Sequence, residues 1–293
     1  MDTVKCRAFI TSAELGSFSK AAVQLGYTSS GISQLVSALE VELGFDLLIR
    51  NNKGVRLSEN GERVLVSIRG LLKQEEELLQ VAAEIKGLVI GGVTIGAYSS
   101  ISTHLLPAVI NDFQKQYPNI KIRLIEGTRH EVEAMLTEKK IDVAFYSYHE
   151  PMEHDWIPLQ DDPMLAILPP DHPCANDATY PLIQCINERF IMPALGKDDD
   201  ITELFERYRL TPNITFTTLE NFAVMAMIEQ GMGMCIMNEL ITRKMQFNIR
   251  KIPLDPPQYI TYGIAVDSLS SAPPAVKSFI SHATKQLTRR VTY

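Results

Sequence analysis

Apolar residues recur at helical spacing through the first 60 residues, and glycines separate the periodic stretches. We predict that the first two helices end at Gly16 and Gly26, because glycine readily adopts the left-handed conformation that terminates a helix. Ser17 can cap the second helix, and Thr28 or Ser29 the third, since a hydroxyl can accept an unpaired amide at a helix N-terminus. The pattern predicts short helices joined by tight turns.

The third predicted helix has one apolar face and one polar face without charge. The apolar positions are spaced mainly by three and four residues, as in a buried helical stripe: Ile32, Leu35, Val36, Leu39 and Leu43. The opposite face carries Ser29, Ser30, Ser33, Gln34 and Ser37. That face has neither the apolar residues of a core nor the Lys/Glu mixture of a solvated helix. With the preceding helix and the short turn at 26–28, it predicts a helix-turn-helix.

A hairpin is predicted directly after this motif, with strands at 47–50 and 55–57. Arg50, Lys53 and Arg56 are half of the six basic residues among the first 60 residues, which also hold six acidic residues. We expect this local cluster to contact DNA phosphates or the minor groove beside the hairpin. The alternative is an ordinary surface distribution of Lys and Arg.

The polar face of the third helix has the donors and acceptors that fit a major groove. Gln34 can pair with adenine through two hydrogen bonds, whereas serines can bond to either base partner and to phosphates. Most serine contacts would position the protein rather than select a sequence. The alternative is a plain solvated helix surface.

A longer helix is predicted from Ser58, as the cap, to about residue 86. Its apolar residues repeat every seven positions, which is the pattern of a coiled-coil seam, and the helix would be about 42 Å long. The predicted dimerisation residues are Val64, Ile68, Leu71, Leu72, Leu78, Leu79 and Ile85. The alternative is a core helix of a single domain.

From Val93 onward, predicted strands and helices alternate, which indicates a mostly parallel sheet covered by helices. We therefore predict an α/β protein with three parts. They are a winged helix-turn-helix at 1–58, a linker and dimerisation helix at 59–87, and an α/β domain at 88–293.

The first 61 residues resemble the DNA-binding unit of LysR-type transcriptional regulators. The matching positions include Gly16-Ser17-Phe18-Ser19, Ala21-Ala22, Leu25, Ile32-Ser33, Leu39-Glu40, Leu43-Gly44, Leu47, Arg50, Leu57-Ser58 and Gly61. Residues 104–127 and 141–147 are similar to the regulatory domain of that family, so the resemblance covers essentially the whole chain. The sequence departs from the family pattern at 29–31, where Gln-Pro-Ala or Gln-Ser-Ala is common, and at Ser37, where an Arg is frequent.

The resemblance implies a fold, partners and a ligand site. The domain at 88–293 would be an effector-binding domain with the two-lobed fold of type 2 periplasmic binding proteins. Lobe I would span about 91–161 and 267–293, and lobe II about 162–266. The expected partners are double-stranded promoter DNA with a roughly palindromic site, a small-molecule effector, RNA polymerase, and further copies of the chain, as a homodimer and a homotetramer built from two dimers. No cofactor and no metal ion are expected.

Hydroxyl-rich loops follow the predicted strands of the effector-binding domain, and the family's fold would bring them together between the lobes. The candidate effector-binding residues are Ser99, Ser100, Ser102, Thr103, Thr128, Ser147, Thr218 and Asn221. Hydroxyls and free amides at a helix N-terminus suit an anion, so we expect a small carboxylate, or else a neutral polar molecule. The alternative for each residue is helix capping.

Composition and charge exclude several other classes of protein. The 293 residues carry a net charge of −7 and no run of about 18 apolar residues, which argues against a uniformly basic nucleic-acid coat and a membrane span. The N-terminus lacks the apolar segment of a secretory signal, so a cytoplasmic location is expected. The four cysteines suggest free thiols rather than a zinc site, with a redox pair of Cys174 and Cys185 as the alternative.

Two rival functions have weaker support in the sequence. An enzyme on a two-lobed α/β fold would need a nucleophile or an acid/base set, and no GxSxG, Walker loop or HExxH motif occurs. A solute-binding protein of a transporter would not need the first 87 residues.

Overall fold

The computed structural model describes residues 2–51, 54–86 and 90–288, except for the side chain at position 84. The chain divides into two compact units. The first unit contains the residues up to Gly91 with Thr137–Lys140 and Pro273–Ala275, and the second contains Gly92–Leu136, Ile141–Ala272 and the residues from Val276.

The first unit consists of short helices, a hairpin and one long helix. Its elements are α1 (Thr3–Leu15), α2 (Phe18–Leu25), α3 (Ser29–Leu43), β1 (Leu48–Asn51), β2 (Gly54–Leu57) and α4 (Glu59–Ile85). The predicted caps are confirmed, because Ser17 Oγ accepts the amide of Lys20 at 3.3 Å and Thr28 Oγ1 accepts that of Gly31 at 3.1 Å. The helix-turn-helix and its hairpin wing are therefore present as predicted.

The long helix α4 has two different halves. Its cap is confirmed, since Ser58 Oγ accepts the amide of Gly61 at 2.9 Å. In the first half, Ile68 and Leu72 are buried in the core that α1, α2 and α3 also form. These two residues are covered by their own chain, so they are removed from the predicted dimer seam. The heptad pattern does not show whether a residue is buried in the core of its own chain or in a dimer seam, because a core-facing helix and a coiled-coil helix have similar apolar spacing.

The second unit alternates strands and helices. Its elements are β3 (Gly91–Ala97), α5 (Ser99–His104), α6 (Leu106–Gln116), β4 (Ile120–Glu126), α7 (Arg129–Thr137), β5 (Val143–Ser147), β6 (Asp155–Leu168), β7 (Tyr180–Pro181), β8 (Arg189–Met192), α8 (Asp199–Tyr208), β9 (Asn213–Thr217), α9 (Asn221–Glu229), β10 (Cys235–Asn238), α10 (Glu239–Thr242), β11 (Arg250–Asp255), β12 (Tyr259–Val266) and α11 (Pro274–Thr288).

The large sheet is mixed, and the prediction of a mostly parallel sheet is wrong. The strand order is β4-β3-β5-β12-β6-β11-β7, with β10 also paired to β6. β12 runs antiparallel to both β5 and β6, and β6 runs antiparallel to β10 and β11. The 14-residue β6 is responsible, because its first part pairs with β12 and its last part with β10 and β11. It thus crosses the predicted boundary between the lobes, whose exact limits stay a prediction.

Separate apolar clusters support the two parts of this unit. One cluster gathers side chains from β6, β8, β10 and α8, including Phe190, Ile201 and Phe205. A smaller cluster lies under α7, around Val132 and Tyr146. Residues from both parts line one cavity, which is described below. Within the described ranges, no helix is both long enough and apolar enough to cross a bilayer.

Candidate functional site

The exposed face of α3 is the first candidate site. Ile32, Val36 and Leu39 are fully buried, which fixes the rotation of α3 against the rest of the unit. The opposite face consequently points outward, with Ser29, Ser30 and Gln34 exposed and Ser33 and Ser37 half-buried. The five residues predicted from the sequence therefore do share one face of the helix.

Arg50 lies against this face rather than projecting from the wing. Its guanidinium donates to Ser33 Oγ at 3.1 Å, Ser37 Oγ at 2.8 Å and Glu40 Oε2 at 3.0 Å. It also lies over the ring of Phe18, with its central carbon 5.1 Å from the ring centroid. The positive charge of Arg50 is thus paired, and its role is to hold Ser33 and Ser37 in place. We therefore do not retain it as a free phosphate-binding cation.

Glu40 joins α3 to the wing, and it is not among the site residues predicted from the sequence. Its Oε1 accepts the backbone amides of Leu47 at 2.9 Å and Leu48 at 3.1 Å, while Oε2 pairs with Arg50. The side chain is therefore committed at both oxygens. The Leu39-Glu40 pair in the family pattern was the available signal, but it does not show which partner Glu40 has.

The two other wing cations have different status. Arg56 is exposed and makes no ion pair with any residue that the structure describes. Lys53 lies outside the described residues. Arg56 is therefore the described wing residue whose charge remains available to a phosphate.

The second candidate site is a cavity of about 300 Å³ in the second unit. Strand ends and helix starts from both parts of that unit contribute to it. The lining residues are Tyr98, Ser99, Ser100, Glu126, Gly127, Thr128, Arg129, Glu131, Met164, Pro193, Ala194, Lys197, Asp198, Asp199, Asp200, Ile201, Leu219, Glu220, Asn221, Ile236, Met237, Asn238 and Ile241. This volume is at the lower end of the range for small-molecule sites.

The predicted effector-binding residues divide into two groups. Ser99, Ser100, Thr128 and Asn221 line the cavity. Ser102, Thr103, Ser147 and Thr218 do not line it. The position of a loop in the sequence does not reveal where its side chains point. This explains why half of the predicted effector-binding residues do not line the cavity.

The four residues outside the lining have other surroundings. Ser102 is buried, and Thr103 is exposed on α5. Thr218 forms backbone hydrogen bonds with Met192 and Leu195. Ser147 is fully buried, and its hydroxyl forms hydrogen bonds with Tyr98 and Asp200, two of the lining residues.

The start of α7 satisfies its own hydrogen bonds. Thr128 donates its amide and hydroxyl to Glu131 Oε2 at 2.9 Å and 3.0 Å, and its hydroxyl oxygen lies 3.4 Å from the amide of Glu131. This is a reciprocal capping arrangement. The capping alternative therefore describes Thr128.

Arg129 is the buried cation of the cavity wall. Its side chain is 6% exposed, and three acidic residues of α8 surround it. Asp199 and Asp200 lie 3.7 Å and 3.5 Å away, and Glu203 forms the shortest pair with it. The guanidinium charge is consequently neutralised within the chain.

Asp200 occupies the hydroxyl donors beside Arg129. The hydroxyl of Ser147 donates to Asp200 Oδ1 at 2.6 Å, and the hydroxyl of Tyr98 lies 2.9 Å from Ser147 Oγ and 3.5 Å from Asp200 Oδ2. Burial raises the pKa of Asp200, while the bond from Ser147 and the charge of Arg129 oppose that rise. Burial likewise raises the pKa of Tyr98 well above its ordinary value. The donors here already serve a carboxylate of the protein.

Asp198 begins α8 and faces the same cavity. Its Oδ1 accepts the amide of Ile201 at 3.1 Å, which makes it the N-cap of the helix. Burial, reinforced by the negative charges of Asp200 and Asp199, raises the pKa of Asp198 to about 7, although the amide of Ile201 and the charge of Arg129 lower it. Near neutral pH this carboxyl is therefore divided between its charged and neutral forms.

Asp198→Asn should remove a pH dependence of stability. The pKa of this carboxyl is higher in the folded protein than in the unfolded chain. Its contribution to stability is therefore fully present below the unfolded-state pKa and is lost as the pH rises through about 4 to 7. Asn is an equally good N-cap, so the substitution changes mainly the charge. We expect the unfolding free energy of the variant, relative to that of the parent, to rise by at most about 3 kcal/mol between pH 5 and pH 8, with a corresponding rise in its relative melting temperature. If calorimetry shows that the melting temperatures of the parent and of Asp198→Asn change with pH in parallel, another group is responsible for the pH dependence.

Tyr98, Arg129 and the acidic run Asp198–Asp200 are not among the site residues predicted from the sequence. The run was detectable, because Asp at the start of a stretch with apolar Ile201, Leu204 and Phe205 is a typical helix start. Nothing in that local pattern places it against Arg129, about 70 residues away in sequence. Only the packing of α8 beside α7 does so.

The described cysteines and potential metal ligands form no further site. All four cysteines are unpaired, and burial raises the pKa of Cys185 to about 11, which keeps that thiol protonated at neutral pH. Among the residues described, no group of three His, Cys, Asp or Glu residues could hold a metal ion.

Two family profiles match the chain and together cover most of it. The profile described as "Bacterial regulatory helix-turn-helix protein, lysR family" matches residues 4–62. The profile described as "LysR substrate binding domain" matches residues 86–288.

Individual proteins show the same relationship. The uncharacterized HTH-type transcriptional regulator YvbU of Bacillus subtilis is 34% identical over 97% of this chain and 98% of its own. Full-length OxyR from Pseudomonas aeruginosa, solved as a variant, has a TM-score of 0.77 at 20% identity, covering 98% of both chains. Full-length CbnR, solved with its target DNA, has a TM-score of 0.66 at 19% identity, covering 97% of this chain and 99% of its own. At these identities the two structures show the fold.

A winged helix-turn-helix followed by a two-lobed α/β ligand-binding domain defines a DNA-binding regulator, not an enzyme. The chain belongs to the LysR family of transcriptional regulators, with an N-terminal DNA-binding domain and a C-terminal substrate-binding domain.

Proposed function

We propose that this regulator binds promoter DNA in the cytosol as a dimer, or as two dimers together, and that a small molecule in the cavity of the second unit controls it. RNA polymerase at the same promoter is the proposed downstream partner. The observation that carries the proposal is the outward face of α3, where Ser29, Ser30 and Gln34 are exposed next to the wing.

The α3 face suits a major groove in both shape and chemistry. An α-helix fits the major groove, and an amide side chain such as that of Gln34 can bond to N6 and N7 of adenine. Arg50 holds Ser33 and Ser37 at fixed positions beside it. Arg56 at the return strand of the wing would contact phosphate, as would Lys53.

The dimer proposal rests on the second half of α4. Leu78, Leu79 and Ile85 are 68%, 60% and 83% exposed, and Val81 is 38% exposed, whereas Ile68 and Leu72 in the first half of the helix are buried. Adjacent exposed apolar side chains on a soluble protein mark an interaction surface. A second α4 with the same residues would bury them in a two-fold interface, which pairs two DNA-binding units.

Gln34→Ala should weaken sequence-specific DNA binding by about 1–3 kcal/mol, which is the discrimination that one bidentate base contact provides. Preferred duplexes would first be selected from a random pool with the unchanged full-length protein. Fluorescence anisotropy at fixed salt would then give the affinity of each variant for the selected duplex and for a scrambled one. Binding to the scrambled duplex should barely change.

Gln114→Ala serves as the matched control, because Gln114 is exposed on α6 in the second unit. It should bind both duplexes as the parent does. An equal loss of affinity for both duplexes in Gln34→Ala would refute the base contact. Failure of the parent to select any duplex would refute the proposed function itself.

A further inference from the structure

We infer that the effector is a small organic cation with an apolar body, such as an amine, rather than a carboxylate. This inference rests on the proposed function of the cavity as the effector site. The charged and polar lining residues that have no partner within the described chain indicate the class of ligand.

The donors at one end of the cavity, Ser147, Tyr98 and Arg129, already serve Asp200. Asp200 accepts from Ser147 and lies within an ion-pair distance of Arg129, whose other faces meet Asp199 and Glu203. A carboxylate effector would have to displace a protein carboxylate from a largely buried site. The six-residue α5 adds little dipole at Ser99, because it is a short helix.

The charge of the lining favours a cation. Six lining residues are acidic and two are basic, and one of the two, Arg129, is neutralised by α8. Glu126 and Glu220 are exposed at the cavity and make no side-chain hydrogen bond or ion pair with the described residues. Lys197 is the other basic residue, so the acidic residues remain in excess, and a concave surface with an excess of one charge sign concentrates ligands of the opposite sign.

Two buried polar groups also lack partners. Ser100 lines the cavity with 8% of its surface exposed, and its hydroxyl makes no hydrogen bond with any described residue. Asn221 lines the cavity too, and its buried Oδ1 receives no hydrogen bond within the described chain. Buried polar groups are normally paired. The hydroxyl of Ser100 can donate or accept, whereas Asn221 Oδ1 only accepts, so Asn221 is the residue that calls for a ligand with hydrogen-bond donors, such as an ammonium group.

The remaining wall is apolar and accounts for the body of the ligand. Met164, Ile201, Ile236 and Met237 are buried and line the cavity, with the more exposed Leu219 at its edge. A hydrated inorganic cation would gain nothing from these side chains. An alkyl or aryl amine can bury its carbon skeleton there, with its charge toward Asp198 and Glu126.

The test uses pairs of ligands with the same skeleton and opposite charge. Butylamine and butyrate, phenethylamine and 3-phenylpropionate, and 1,4-diaminobutane and succinate would be titrated into the full-length protein by calorimetry in 0.15 M salt. We expect at least one amine to bind at least about tenfold more tightly than its carboxylate partner. A carboxylate that binds more tightly than its amine, or the absence of binding by all three amines, would overturn the inference.

Variants locate the bound amine. Glu126→Gln and Asp198→Asn should each lower its affinity about tenfold or more, as expected for loss of a charged partner, and Ser100→Ala should lower it about two- to tenfold. Glu206→Gln removes the same charge from an exposed position of α8 outside the cavity and should leave the affinity unchanged. Equal losses in Glu206→Gln and Glu126→Gln would reveal attraction to the overall negative charge and overturn the site.

DNA binding by the same protein separates the two claims. If the parent selects a duplex but binds no amine, the ligand class is wrong and the regulator function stands. If the amine binds and the parent selects no duplex, the ligand class stands and the proposed DNA function fails.

Discussion

Leu78→Glu should convert the regulator into a single chain in solution, with a loss of affinity for its preferred DNA. The leucine is 68% exposed on α4 and is proposed to be buried against its counterpart in a second chain. Burying a leucine contributes about 1.5–3 kcal/mol, and a two-fold interface loses that contribution twice. The dimer dissociation constant should therefore rise by about two to four orders of magnitude. Light scattering over a concentration series measures the change in mass.

The control substitution is Val23→Glu. Val23 is 86% exposed on α2, so it introduces the same charge at an exposed apolar residue away from α4. Its mass should equal that of the parent. A Leu78→Glu protein that keeps the parent's mass would contradict the dimer seam on α4.

Arg129→Met should destabilise the protein more than any surface arginine substitution. It removes the cation beside Asp200, Asp199 and Glu203, and it leaves Asp200 with only hydroxyl partners in a largely buried position. Breaking a buried ion pair on one side costs about 3–5 kcal/mol. Unfolding followed by calorimetry at pH 8 should show this loss as a fall of about 6–20 °C in the melting temperature of the second unit.

Two further variants interpret that result. Arg207→Met removes an exposed arginine of α8 and should change the melting temperature little. Arg129→Met combined with Asp200→Asn removes both partners and should recover much of the loss, because the two substitutions are coupled. A double variant as unstable as the sum of the single variants would show that Arg129 acts through packing and not through Asp200.

The site was only partly predictable because side-chain direction and long-range pairing are tertiary properties. Ser100 and Asn221 were found from hydroxyl-rich or amide-bearing loops, and both line the cavity. Ser147 was found for the same reason but donates to Asp200 behind the surface. Asp200 was missed, because its importance comes from contacts with residues more than 50 positions away.

The sequence by itself determined the DNA-binding unit. Gly16, Gly26 and the caps Ser17 and Thr28 act on the backbone within a few residues, so their effect can be derived without knowing the rest of the fold. The apolar stripe of α3 also fixes which face points outward. The family pattern extends this local agreement to the class of protein.

The tertiary structure alone decided which polar groups remain free to bind something else. The sequence around Arg50 does not show whether its partner is a phosphate or Glu40, with which it pairs. In the same way, the sequence around Arg129 does not show whether its partner is an effector or Asp200, with which it pairs. Likewise, Leu72 and Leu79 occupy equivalent heptad positions, yet one is buried by its own chain and the other is exposed. Spacing along the chain specifies the face on which a side chain lies. The partner on that face depends on segments that fold against it from elsewhere in the sequence, and this is why ligand charge could be argued only from the packed structure.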